Sequence, residues 1–143
     1  MNIVSYNCRG LPRHSDKLYE RPTVASILED SDIVCLQETW YAKQNLGHIN
    51  SLHTDFHGHG AATVDFQDAL HSGHPPGGVA ILWNKRLDSM ITPIKFDHNW
   101  ITGISLKANA KSLIVLNVYM PCVSNSREHG DTYIEYLGIQ LHY

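Results

Sequence analysis

The stretch Ile33-Val34-Cys35-Leu36-Gln37-Glu38-Thr39-Trp40 decides the fold. Its first four residues are apolar without alternation, the pattern of a short strand covered on both faces in an α/β protein. The next two are an amide and a carboxylate. In α/β folds ligands gather at strand ends, where loops present polar side chains from a rigid base. A carboxylate placed there is a hard oxygen ligand suited to Mg2+.

Outward from this strand the same theme repeats. Ile3-Val4-Ser5-Tyr6 reads as a first strand, followed by Asn7. Residues 23–29 read as a short helix, because Pro22 suits a helix start and Val24, Ile27 and Leu28 share one face. Residues 48–72 are rich in His, Gly and Asp and read as a long loop, with a short strand at Ala62-Thr63-Val64. Residues 79–83 form another buried strand. Residues 101–106 alternate as a half-exposed strand does. Residues 113–118 are apolar on both faces and end at Tyr119, and the loop at 107–111 makes the last two strands a hairpin. Thr132 and Glu135 fit a capping box, with Ile134, Leu137 and Leu141 on one stripe of a closing helix.

Strands apolar on both faces need cover on both faces. Two or three short helices cover one. The pattern leaves the other face of 79–83 and 113–118 without a layer, and it predicts an uncovered sheet face open to self-association.

Composition sets the outer bounds. The chain has 143 residues, 43% hydrophobic and 17% charged, which suits one globular domain able to bury roughly 70% of its unfolded surface. A net charge of -3 argues against a broad basic face for nucleic acid, though not against meeting phosphate through a metal ion. Cys8, Cys35 and Cys122 are an odd number with no zinc-knuckle spacing, so free thiols in a reducing compartment are expected, Cys35 as an apolar filler. No basic segment followed by an apolar one opens the chain, and no apolar run spans a bilayer. The expectation is an intracellular protein, nuclear or cytoplasmic, neither secreted nor in a membrane.

The motifs taken together are more specific than any one of them. Ser5-Tyr6-Asn7-Cys8-Arg9-Gly10, then Leu36-Gln37-Glu38-Thr39-Trp40, then Gly77-Gly78-Val79-Ala80-Ile81-Leu82, then Asn117-Val118-Tyr119-Met120-Pro121 follow in this order. The series resembles the endonuclease/exonuclease/phosphatase family. Within it, Gly73-His74-Pro75-Pro76-Gly77-Gly78 and the strand that follows look like the endonuclease domains of non-LTR retrotransposons. The resemblance spans essentially residues 1–143 and implies an α/β fold, the N-terminal half of a two-sheet sandwich with the active site at one end.

It further implies that Glu38 binds the divalent metal, Mg2+ or Mn2+, that Asn7 arranges metal and scissile phosphate, and that Tyr119 hydrogen-bonds that phosphate. Arg9, beside Asn7, is a phosphate contact or the partner of a surface carboxylate. The implied reaction is hydrolysis of a DNA phosphodiester. The family's later motifs, Gly-Asp-x-Asn and Ser-Asp-His, do not occur after Tyr119. Cys122 stands where relatives often carry Asn. The expectation is a truncated domain that holds metal weakly or not at all and is inactive alone. Two alternatives stand beside it: a non-catalytic, protein-binding remnant, and a phosphoesterase of the same fold acting on a small phosphoester.

Other polar clusters read as structure. Asp97-His98 precedes two strands and reads as an exposed turn. His53, His57 and His59 have ligand-like spacing, but the irregular, Gly-rich stretch around them does not suit a tetrahedral zinc site. Trp40 and Trp83 read as packing residues, and Asn117 as a residue that satisfies backbone groups near the site.

Overall fold

Residues 33–36 do form a fully buried strand, and the rest of the fold is assembled around it. The computed structural model describes residues 1–13, 15–62, 77–108 and 111–120, with Asp16 described by its backbone alone. The helix expected from Thr132, the flank at 73–76 and Cys122 lie outside the described residues.

The first sheet has four strands: β1 (Ile3–Asn7), β2 (Ile33–Gln37), β3 (Phe56–Ala61) and β4 (Val79–Asn84). Their order is β1-β2-β4-β3. β1 and β2 are parallel, joined by helix α1 (Pro22–Asp30), while β4 runs antiparallel to both its neighbours. Pro22 opens the helix, where its missing N–H costs nothing. Val24, Ala25 and Leu28 turn inward.

The second sheet is an antiparallel meander of β5 (Ile91–Ile94), β6 (Ile101–Ala108) and β7 (Lys111–Val118). Ile101 pairs with Val118 and Ala108 with Lys111, so β6 and β7 are the expected hairpin.

Strand alternation divides the core in two. Val34, Leu36, Ala80 and Leu82 point from the first sheet toward α1 and the 3₁₀ helix Lys43–Ser51, packing with Leu28, Ile49 and Phe56. Ile33, Cys35, Ile81 and Trp83 point the other way and meet Ile91, Ile104 and Leu106 of the second sheet.

That packing corrects one expectation. The layer covering residues 79–83 is encoded in this chain, because β5, β6 and β7 form a separate sheet stacked on the first. An apolar run announces a strand but not which sheet it joins. The uncovered surface is the outer face and edge of the second sheet, where Leu113, Ile114 and Leu116 are exposed.

The stretch at 48–62 is corrected as well. Lys43–Ser51 is a 3₁₀ helix and Phe56–Ala61 a strand, while Thr63 and Val64 of the expected short strand, with the rest of 63–72, lie outside the described residues. Glycines disguised the strand Phe56–Ala61. A Cβ on Gly58 would meet the Ile81 carbonyl oxygen at 2.7 Å and Ile49 Cγ2 at 2.9 Å, so the close packing that makes this a strand is what demands residues of low strand propensity. No helix among the described residues is long and apolar enough to cross a membrane.

Candidate active site

β1 and β2 end side by side, with Asn7 opposite Gln37. Their pairing continues past the strands as a backbone zip. Cys8 N donates to Gln37 O at 2.9 Å, Gly10 N to Glu38 O at 2.7 Å and Leu11 N to Thr39 O at 3.0 Å. On the other side Thr39 N donates to Gly78 O at 3.2 Å and Trp40 N to Gly77 O at 3.0 Å. Three loops are thereby fixed to one another by main-chain bonds.

The zip forces unusual backbone. Arg9, Glu38 and Trp40 have φ of 46°, 54° and 57°, the left-handed region that costs a non-glycine residue about 1–3 kcal/mol. Gly77 and Gly78, at φ of 73° and 82°, make the tight turn into β4. Such strain persists only where surrounding bonds over-determine it, as the zip does here.

The turn at Glu38 lifts its half-buried carboxylate toward two partners. Asn7 Nδ2 donates to Glu38 Oε1 at 2.7 Å, and the Tyr119 hydroxyl donates to the same oxygen at 3.1 Å. Oε2 has no hydrogen bond among the described residues. The three side chains expected from the motifs therefore converge on one carboxylate oxygen, across sequence separations of 31 and 81 residues. Arg9 is exposed beside them, its N–H bonded to Asn7 Oδ1 at 3.3 Å, and its guanidinium pairs with no carboxylate among the described residues.

An amide pair, Asn117 buried and Gln37 half-buried, locks the two sheets just beneath the site. Gln37 Nε2 donates to Ser5 Oγ at 3.0 Å and to Asn117 Oδ1 at 2.6 Å. Asn117 Nδ2 donates to the carbonyls of Leu36 at 2.9 Å and Ala80 at 2.7 Å. Asn117, 2% exposed, thus ties β7 to β2 and β4, the backbone role its position suggested.

Trp100 was not singled out by the sequence. Its carbonyl accepts from Tyr119 N at 3.0 Å, and its ring lies 5.8 Å from the Tyr119 ring at an angle of 34°. A Cβ on Gly77 would run into the same indole. Trp100 therefore wedges Tyr119 against the loop that carries Gly77. The available signal was a large aromatic in an otherwise polar turn directly before a strand.

The decoys resolve into structural contacts. Trp40 lies over Gly10, where a Cβ would meet its ring at 2.5 Å. Trp83 is buried and donates its indole N–H to Asp88 Oδ1 at 2.8 Å. His57 Nδ1 pairs with Asp88 at 3.0 Å, His53 Nδ1 accepts from Asp55 N at 3.1 Å, and His59 turns to the second sheet. Asp97 is exposed in a bend. The Cys8 thiol donates to Gln37 O at 3.1 Å. Burial pushes Cys8 and Cys35 each up to about 11, so both are neutral thiols at physiological pH.

Among the described residues no group of three or more His, Cys, Asp and Glu side chains could enclose a metal ion. What is present is a half-exposed carboxylate with one open oxygen. That fits a hard divalent cation of the Mg2+ kind, which takes one or two protein carboxylates and completes its shell with water and substrate oxygens.

Two stacked sheets with a carboxylate, an amide and a phenol gathered at one end define an α/β sandwich with a strand-end polar site. The chain belongs to the endonuclease/exonuclease/phosphatase family, whose family model matches residues 4–142. The catalytic domain of Xenopus laevis APE2 shares the fold with a TM-score of 0.59 and 20% identity, over 93% of this chain and 49% of that one. The endonuclease domain of TRAS1, a telomere-specific non-LTR retrotransposon, is similar with a TM-score of 0.50 and 12% identity, over 96% of this chain and 52% of that one. This chain therefore spans about half the length of these solved structures. No curated protein sequence matches it.

Proposed function

We propose that this chain carries the metal-holding and phosphate-contacting part of a divalent-metal-dependent nuclease of retrotransposon type, and that it does not cleave DNA alone. Glu38 would hold Mg2+ or Mn2+ through its open oxygen, with Asn7 and Tyr119 fixing the carboxylate. Tyr119 and Arg9 would meet the phosphodiester. When bound, the cation supplies charge neutralisation at the phosphate.

The convergence of Asn7 and Tyr119 on one oxygen of Glu38 carries this reading. The retrotransposon type is supported by the Gly-rich flank before β4 and by the likeness to the TRAS1 domain. Inactivity follows from the absence of the Gly-Asp-x-Asn and Ser-Asp-His motifs after Tyr119, since general acid–base groups contribute about 10²–10⁴-fold in rate.

Titration with Mn2+ tests the metal site. Amide signals of Asn7, Glu38 and Tyr119 should broaden selectively, and the effect should vanish in Glu38→Gln. Broadening that is absent, or unchanged in the variant, removes the assignment. Supercoiled plasmid should stay uncut with Mg2+, and nicking that disappears in Glu38→Ala would overturn the claim of inactivity.

A second, non-catalytic reading rests on Ile114 and Leu116, 60% and 50% exposed on one face of β7. It has the chain self-associate through that face. A concentration-independent monomer in sedimentation, binding no hydrophobic dye, would dispose of it.

A further inference from the structure

The chain has three tryptophans, and the fold accounts for two of them. Trp83 is buried, and its indole N–H is committed to Asp88. Trp40 lies against Gly10 within the main-chain zip. Trp100 differs from both. It stands in the turn between β5 and β6, bonded through its carbonyl to Tyr119 N, and it is only half-buried. Its indole N–H has no acceptor among the described residues.

Two parts of this indole are engaged. The Tyr119 ring lies 5.8 Å away at an angle of 34°, within the range of an offset aromatic contact. The six-membered edge, Cε3, Cζ3 and Cη2, overlies Gly77 so closely that a Cβ there would collide with it. The part left to solvent therefore lies away from Tyr119 and Gly77, on the opposite face and the pyrrole edge with its N–H. A ring held this way on two sides is ordered in advance, so a ligand laid on it pays little to fix it.

The neighbour of this ring gives it a meaning. The Tyr119 hydroxyl lies 3.1 Å from Glu38 Oε1, so a phosphate meeting that phenol brings the adjoining nucleotide to the indole packed beside it. With a net charge of -3 the chain has little general attraction for a polyanion, and hold on a strand must come largely from a metal and from neutral groups. Stacking on an aromatic ring is such a contact, and it accepts any base, because every base has a π-face. Inside a duplex both faces of a base are covered by its neighbours. The indole can therefore take only a base released from the stack.

We propose that Trp100 is a substrate-contacting residue, a platform on which the base next to the phosphate at Tyr119 stacks, and that the site accordingly takes DNA that is single-stranded at that point. This rests on the nuclease reading above and adds to it the state of the strand. The contact is sequence-tolerant and needs no charge on the protein.

The test is fluorescence anisotropy of a labelled oligothymidylate with the full chain and Mg2+, beside an abasic oligomer of the same length that keeps the phosphates and sugars and lacks the bases. Trp100→Leu should weaken binding of oligothymidylate about tenfold, the scale of one lost base stack, and leave binding of the abasic oligomer unchanged. Trp100→Phe keeps an aromatic face and should stay within about twofold of the wild type. A merely structural role for Trp100, acting through Tyr119, would weaken both oligomers alike in Trp100→Leu and would overturn the proposal. So would wild-type affinity in Trp100→Leu, a duplex bound at least as tightly as the single strand, or no binding of oligothymidylate by the wild type. The Mn2+ experiment at Glu38 uses no DNA, so the metal site and the stacking platform fail separately.

Discussion

β4 and β7 read alike in the sequence and end in opposite circumstances. Val79-Ala80-Ile81-Leu82-Trp83 and Leu113-Ile114-Val115-Leu116 are both continuous apolar runs. β4 is central, paired with β2 and β3 and packed on both faces, so Val79 to Leu82 are fully buried. Among the described residues β7 lies at the edge of the second sheet, paired with β6 alone, and only Val115, Asn117 and Val118 are sheltered. An apolar run thus predicts a strand, while burial depends on how many neighbours the topology supplies.

The largest expected effect comes from truncating matched residues on the two strands. Leu82→Ala should lower unfolding stability by about 2–5 kcal/mol through lost burial and a residual cavity. Leu116→Ala, already half exposed, should stay within roughly 0.5 kcal/mol. Denaturant unfolding of both variants measures the gap, and equal losses would break the distinction between the strands.

Asn117 sharpens the comparison, because its side chain makes β7 behave like a core strand at one point. Asn117→Ala strips bonds from the carbonyls of Leu36 and Ala80 and should cost about 1–3 kcal/mol in the same unfolding experiment. The Tyr119 ring should loosen with it, read as weaker Mn2+ broadening at that residue. A variant as stable as wild type would show that the sheets are held by apolar packing alone.

The smallest effect concerns the seam between β3 and β6. His59 is lowered in the folded state from its ordinary 6.5, chiefly by burial. As pH falls through 6.5 the unfolded chain takes up a proton that the folded one still refuses, so this contribution to stability is present above that pH and declines below it. His59→Gln should therefore flatten the fall in denaturation midpoint between about pH 7 and pH 5. Curves that stay parallel would mean His59 titrates normally.

The legible part of the fold was the part governed by local pattern. β1, α1, β2, β4, β6 and β7 each follow from apolar periodicity or from Pro22, which neighbouring residues alone determine. β3 was hidden because Gly58 and Gly60 answer to Ile49, Ile81 and Val79, residues distant in the chain. β5 was hidden by its four-residue length and by Pro93. The site shows the same division. Asn7, Glu38 and Tyr119 were legible as motif residues at strand ends. Trp100 and the amide pair of Gln37 with Asn117 act through contacts between sheets, which no spacing in the sequence records.

The main-chain zip also bears on how such a site ages. Every residue but proline brings the same amide, so residues 8–11, 37–40 and 77–78 keep their mutual alignment while most of their side chains drift. Substitution then wears away resemblance in letters sooner than it wears away shape. A chain can keep one residue in five of a distant cousin, as it does here at 20% identity, and still share its fold.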